Sequence, residues 1–297
     1  MKISKNTFNL FPRRVRHLFN IEVRSEIAGK PLIVPLRSGA RLDALWSRSW
    51  KTEVIKSLCR AKDGGAFIDI GANLGQTLMD HIAADVKVPY IGFEPNPVCI
   101  YWITELIRIN ALAQYTILPV GLSNEAKLLP FYRRADVPED DSATLIADLR
   151  PTWNLITTYI PCFKFDDIRQ SLNLEHINLI KIDVEGAELE VLKGMQSTLE
   201  SLRPVILCEV LFTDPDAELE SNKTKNAELM RLLGGFDYRV FQLVKSEDDK
   251  KVVKVNNIEA FETAYFSRPG NSDLCDYLFI PAEKERQVVN LILPAHH

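Results

Sequence analysis

Two groups of acids and glycines could do chemistry in this 297-residue chain. The first is Asp69, Gly71, Asn73 and Gly75, joined later by Glu94 ahead of Pro95-Asn96-Pro97. Glycine has no Cβ, so a backbone built around it can approach a ligand closely. A carboxylate can accept both hydrogen bonds of a ribose diol. Glu94 stands 19 residues after Gly75, near the spacing at which nucleotide-binding sheets present such an acid. A dinucleotide fingerprint would need glycine where Asn73 and Gln76 stand, which argues against NAD or FAD. The plainer alternative is that Asp69 and Glu94 only cap turns.

The second group is Lys181, Asp183, Glu185 and Glu209, with Glu188 opening a helix. Acids gathered in one crevice repel, so they need a proton, a cation or solvent. Useful outcomes are a general base for a hydroxyl, or a Mg²⁺-type oxygen site drawing on Asp183 and Glu209. The bland outcome is that each caps a helix or faces water. Lys181 interrupts the apolar run Leu179-Ile180-Lys181-Ile182, where a lone charge is costly. On a strand it shares a face with Asp183. It is either one half of a buried ion pair or a cation that positions a substrate and tunes Asp183. Histidine is poorly placed as a base: His17 is N-terminal, His176 precedes its strand, and His296 and His297 end the chain. His81 reads as an ordinary surface or core histidine.

The elements that must hold these residues alternate. Apolar strand-like runs occur at Ala66–Ile70, Tyr90–Phe93, Tyr115–Val120, Leu179–Ile182, Pro204–Val210, Tyr238–Val244 and Asp276–Pro281. Helix-like periodicity covers 42–60, 75–84, 98–111, 188–195 and 219–233, the last with Gly234-Gly235 as its stop. A short helix starts near Phe165 with Asp166 as its N-cap. In a doubly wound sheet the carboxyl ends of neighbouring strands converge on one crevice. That brings both acid groups together and adds Ser123, in the loop after the third strand, as a contact to the nucleoside base or a plain turn serine. Residues 124–163 break the alternation. Leu128–Tyr132 and Thr158–Phe163 predict an inserted hairpin or lid, with Asp140, Asp141 and Ser142 as a solvated loop tip, the commoner outcome, or as a closure over the cofactor or substrate. Pro31–Leu36 reads as an edge strand, 246–254 as a charged loop, and 287–293 stays unassigned.

At 46% hydrophobic and 26% charged, the chain can bury a sizeable core and is not disordered. A net charge of −4 argues against a general nucleic-acid binder. Five scattered cysteines, with no C-x-x-C pair, predict reduced thiols and a cytoplasmic protein. No apolar stretch is long enough to span a membrane, and no secretory signal is visible. The basic amphipathic segment around Arg13, Arg14, Arg16 and His17 predicts a helix packed on the domain, or a contact with a membrane surface or partner.

Phe67–Gly75, Phe93–Pro97, and above all Ile180-Lys-Ile-Asp-Val-Glu-Gly-Ala-Glu188 followed by Val191–Gly194, resemble the FkbM family of methyltransferases. The resemblance spans about residues 50–281. It implies an α/β, Rossmann-like, mostly parallel seven-stranded sheet with S-adenosylmethionine as methyl donor. It also implies O-methylation of a hydroxyl on a sugar, glycan or natural product. It carries over Asp69, Gly71, Asn73, Gly75, Glu94 and Ser123 as cofactor positions, and Asp183 and Glu185 as acids of the reacting edge. Beside these, Ala72, Pro95 and Asn96 join the expected cofactor set as loop neighbours, and Glu209 and Lys181 join the reacting edge on their own position and chemistry. The expected organisation is an N-terminal extension (1–45), the methyltransferase domain (46–285) and a tail (286–297), in a protein that self-associates. The rivals are a non-catalytic binding protein and a methyltransferase acting on an amine or protein.

Overall fold

The computed structural model describes residues 2–4, 21–27, 29–36, 49–60, 65–137, 140, 142–146, 153–211, 219–261 and 274–293. The basic segment around Arg13–His17, residues 42–48 of the first predicted helix, and Asp141 lie outside these.

In chain order, β1 (Lys2–Ser4), β2 (Ile21–Ile27) and β3 (Lys30–Leu36) form a small sheet of their own. Then come α1 (Trp50–Leu58), β4 (Ala66–Ile70), α2 (Gln76–Ala83), β5 (Tyr90–Phe93), α3 (Pro97–Ile109) and β6 (Tyr115–Leu118). Next are β7 (Gly121–Leu122), β8 (Lys127–Arg134), β9 (Leu155–Phe163) and α4 (Phe165–Ser171). The chain continues through β10 (Ile177–Ile182), α5 (Glu188–Lys193), α6 (Gln196–Ser201) and β11 (Val205–Glu209). It closes with α7 (Leu219–Gly235), β12 (Tyr238–Lys245), β13 (Val252–Ile258), β14 (Asp276–Pro281) and α8 (Glu285–Ile292).

The main sheet has the order β13-β12-β14-β11-β10-β4-β5-β6. Strands β11, β10, β4, β5 and β6 are mutually parallel, and β14 runs against both neighbours. Among the described residues the sheet therefore has eight strands where seven were expected. The eighth is β13, a hairpin return of β12 from within the stretch read as a charged loop. Its Val252, Val253, Val255 and Ile258 are a strand signal, hidden by the charged run Ser246–Lys251 that leads into it. The sheet order reverses between β4 and β10, which opens the crevice there.

Successive strand residues face opposite sides. Phe67, Leu179, Leu207 and Leu278 join the core beneath α1, α2, α3 and α8, together with Leu32 and Val34 of β3. Ile68, Ile180, Ile206 and Phe279 join the core beneath α5, α6 and α7. The predicted insertion is real: β7, β8 and β9 form a separate three-stranded sheet. β3 is an edge strand, in keeping with Pro31 and Pro35, and Asn110, the C-cap of α3, pins it by accepting from Ile33 N–H and donating to Ile33 O, both at 2.7 Å.

Three local expectations change. Asp166 does not cap α4, whose N-cap is Lys164. Its carboxylate instead accepts from Ser197 and Thr198 N–H, at 2.8 and 2.9 Å, at the start of α6. Gly234 and Gly235 lie inside the last turn of α7, and the chain turns at Asp237, with φ 55°. The unassigned tail forms α8, whose Val288 enters the core. All five cysteines are buried free thiols.

His81 is fully buried, against Phe67, Tyr90 and Tyr115, and its Nδ1 is hydrogen-bonded to Tyr115 OH at 3.0 Å. Burial lowers its pKa from 6.5 to about 4. The folded state thus favours the neutral ring. The stability this gives is complete above pH 6.5 and is lost as pH falls toward 4, amounting at most to about 3 kcal/mol. Urea midpoints should drop across that window, and His81→Phe should flatten the drop.

Candidate active site

The turns after β4, β5 and β10 are stitched into one edge. Gly71 and Ala72 N–H both donate to Phe93 O at 3.0 Å, and Asp183 N–H donates to Ile70 O at 3.0 Å. Gly71 has φ 84°, and a Cβ there would sit 1.8 Å from the Asp183 carbonyl oxygen. Only glycine fits that approach. Gly75, also left-handed at φ 84°, is the N-cap of α2.

Glu94 ends the second strand and is buried. Its two oxygens accept from Asn73 N–H at 2.8 Å and Asn96 N–H at 2.7 Å, joining both loops through one carboxylate. Burial pushes its pKa up to about 7, against the pull of those two amides. Asn96 Oδ1 in turn accepts from Val98 N–H at 3.0 Å and caps α3.

The crevice is lined by Gly71, Asn73, Glu94 and Pro95 on one side, and by Asp183, Val184 and Glu185 on the other. The insertion closes it with Phe131, Asp140, Ala143 and Leu145. Asp140 is fixed there by the Arg134 guanidinium at 2.6 and 2.8 Å and by Arg134 N–H. The Thr144 hydroxyl donates to Glu185 O at 2.6 Å, tying the insertion to the loop after β10. Among the described residues the lining supplies four carboxylates and no lysine or arginine. Such a lining suits a ligand that pairs a cation with donating hydroxyls, and repels a pyrophosphate.

Asp69 and Lys181 lie below this lining. Lys181 Nζ is 3.1 Å from Asp69 and 3.4 Å from Asp183, and donates to Gly71 O at 2.8 Å. Burial pulls the ammonium toward neutrality, but Asp69 and Asp183 more than offset it and hold it charged. Burial pushes the Asp69 carboxyl up, with Lys181 and the Tyr90 hydroxyl, which donates to it, pulling the other way. Ser123 is buried, with its N–H donating to Phe163 O at 2.9 Å. Its carbonyl presses on Gly194, where a Cβ would stand 2.1 Å away.

Asp183 and Glu209 meet at the ends of β10 and β11. Burial opposes ionisation of Asp183, but Lys181 and Lys51, with a hydrogen bond from Glu209, bring its pKa below the ordinary value. Glu209 is raised to about 8, first by the Asp183 charge, then by burial and Asp276. At neutral pH the pair therefore shares one proton, held on Glu209. Asp276 stands opposite Glu209 in the β11–β14 register and is bound by Lys245 at 2.7 Å. The counter-charges here are ammonium groups. Among the described residues no group of three or more His, Cys, Asp or Glu side chains is arranged to hold a metal ion. Lys51, Lys245, Asp276 and Tyr90 carry no motif. Lys245 and Asp276 become neighbours only through the antiparallel pairing of β12 with β14. No described helix is long and apolar enough to cross a membrane.

Residues 69–243 match the family model described as the methyltransferase FkbM domain. The chain is 28% identical to the methyltransferase sdnD of Sordaria araneosa, over 47% of this chain and 64% of that protein. It is also 28% identical to the hexuronic acid methyltransferase AglP of Haloferax volcanii, over 61% of this chain and 72% of that one. Among solved structures it is similar to the methyltransferase FkbM of Methylobacillus flagellatus, with a TM-score of 0.43 and 14% identity, over 73% of this chain and 44% of that one. The SAH-bound methyltransferase PaMTH1 of Podospora anserina gives a TM-score of 0.38 at 12% identity, over 74% of this chain and 80% of that one. With Gly71, Glu94 and the run Lys181–Glu185 all inside the matched span, the chain belongs to the FkbM methyltransferase family.

Proposed function

We propose that the protein is an S-adenosylmethionine-dependent O-methyltransferase acting on a hydroxyl of a sugar or glycan. The observation that carries this is the crevice at the sheet's reversal point, where every charged lining residue among the described ones is a carboxylate. When bound, S-adenosylmethionine supplies a methyl group on a cationic sulfur. Glu94, Asn73 and the loop at Pro95 and Asn96 hold the nucleoside's ribose. Phe131, Ala143 and Leu145 wall off water above it. Asp69 acts from below through Lys181, and Ala72, Gly75 and Ser123 shape the loops around the cofactor. Asp183 orients the acceptor hydroxyl and takes its proton as the methyl moves, while Glu209 steadies the ionised Asp183. Lys181 keeps Asp183 charged, and Glu185 flanks the acceptor. A hexuronic acid methyltransferase among the relatives supports a sugar acceptor. The same proposal treats residues 1–45 as an extension, 46–285 as the transfer domain and 286–297 as a tail.

The test is calorimetry with S-adenosylmethionine, then transfer of labelled methyl to a panel of uronic acid, neutral sugar and amine acceptors. Binding with transfer to sugar hydroxyls is the expected result. Binding without any transfer would favour the non-catalytic reading, and transfer to amines alone would move the acceptor class. Glu94→Ala should weaken cofactor affinity by about 10- to 100-fold, because one carboxylate anchors both loops. Wild-type affinity should also fall as pH drops through about 7, where Glu94 gains a proton.

A further inference from the structure

The acid-bearing turn after β10 is bent into an unusual shape. Glu185 has φ 53°, left-handed for a residue with a Cβ, and Gly186 follows at φ 98°. Such a residue keeps that conformation only where its surroundings hold it. The turn is held at each end. Asp183 N–H donates to Ile70 O at 3.0 Å, and Gly186 N–H donates to Glu188 Oε1 at 2.8 Å. At its apex, Glu185 O accepts from the Thr144 hydroxyl at 2.6 Å, 41 residues earlier in the chain. Thr144 belongs to the insertion and is buried. Its Oγ1 also accepts from Ile146 N–H at 3.0 Å, while its own proton goes to Glu185 O. Its backbone pairs with Tyr132 of β8 in both directions, at 2.8 and 2.9 Å. Asp140 anchors the same segment, its carboxylate accepting from the Arg134 guanidinium at 2.6 and 2.8 Å and from Ser142 N–H at 3.2 Å. The residues on either side of Thr144, Ala143 and Leu145, line the crevice.

We propose that Thr144 is a positioning residue of the transfer reaction: its hydroxyl holds the Glu185 turn in its left-handed shape, so the acids of the reacting edge are set only while the insertion is seated on them. This rests on the reading of that turn as the reacting edge. Thr144 itself does not line the crevice, so it acts through the Glu185 backbone. A hydroxyl on a backbone carbonyl fixes a peptide plane without adding charge to a wall of carboxylates. Releasing that carbonyl frees the peptide between Glu185 and Gly186 to rotate, and Gly186 resists little because it lacks a Cβ. The Glu185 side chain then leaves its place beside Asp183 in the crevice wall. Valine at this position keeps the shape of threonine and has no proton to give. Serine keeps the proton and loses only a methyl group.

The test uses the full chain and two variants, Thr144→Val and Thr144→Ser. Hydrogen exchange of the ligand-free proteins follows the amides of 184–187, with β4 as the reference. In Thr144→Val the turn should exchange about 5- to 20-fold faster, from the loss of one buried hydrogen bond, while β4 is unchanged. Thr144→Ser should stay near wild type. Kinetics then use S-adenosylmethionine and the sugar acceptor that the panel yields. Thr144→Val should lower kcat by about 10- to 100-fold and move the cofactor Kd by less than about threefold, and Thr144→Ser should recover the rate. A turn that exchanges as in wild type in folded Thr144→Val overturns the inference. So does faster exchange spread equally over turn and β4, or a loosened turn with kcat unchanged. In each of these cases the methyltransferase reading stands. Should Thr144→Val not fold, wild-type exchange is followed in rising urea below the unfolding transition. Opening of 142–146 and 184–187 as one unit supports the tie, and either opening ahead of the other overturns it. Absence of any methyl transfer by wild type would instead remove the reading beneath the inference.

Discussion

Asp183→Asn should lower kcat by roughly 10²- to 10⁴-fold while leaving the cofactor Kd nearly unchanged. The amide keeps the shape of the carboxylate but cannot take a proton from the acceptor. The cofactor site is spared because its anchors are Glu94 and the loops it joins, not Asp183. In the wild-type protein Glu209 does not compete for that role. It is protonated at neutral pH because the Asp183 charge, burial and Asp276 all raise it. In Asp183→Asn that leading cause disappears and Glu209 should ionise at lower pH. A residual rate that is present at neutral pH and falls as the solution is made acidic would then mark Glu209 as an emergency base. Stopped-assay kinetics across pH, with calorimetry on the same preparations, checks both halves. Turnover near the wild-type level would remove Asp183 from the chemistry.

Gly71→Ala should destabilise the fold by about 2–5 kcal/mol and abolish cofactor binding. Two penalties combine. The backbone is left-handed at φ 84°, which costs a residue with a Cβ roughly 1–2 kcal/mol. The new methyl would also stand 1.8 Å from the Asp183 carbonyl oxygen, so the β10 loop must move. That loop carries Asp183 and Glu185, and Lys181 is tied to the Gly71 carbonyl. Gly75→Ala is the control. It shares the φ of 84°, but its nearest neighbours stand 3.6 Å away, so only the backbone penalty applies. Chemical unfolding should show Gly71→Ala losing clearly more than Gly75→Ala. Equal losses would mean that the contact between the two loops has no energetic weight.

Much of this edge was legible in the chain. Period-two alternation put Lys181 and Asp183 on one face, and they are 3.4 Å apart. The interval between Gly75 and Glu94 placed that acid beside the glycine turn, where its carboxylate now holds Asn73. What stayed hidden depends on partners far along the chain. Asp166 has the right type for a cap, but which helix it caps is decided by how α4 packs on α6. The start of β13 reads as a charged loop because the run Ser246–Lys251 leads into it, and its Val252, Val253, Val255 and Ile258 find their register only beside β12. Lys245 and Asp276 face each other because β14 enters the sheet backwards, and nothing in either segment announces it.

The five interior thiols have a practical corollary. A maleimide dye added to the native protein should find no ready target, so one cysteine introduced on the insertion could be labelled alone. Fluorescence from that single reporter would follow the insertion's movement during turnover. The unlabelled thiols would serve as a clock, because their slow capture reports how often the core opens.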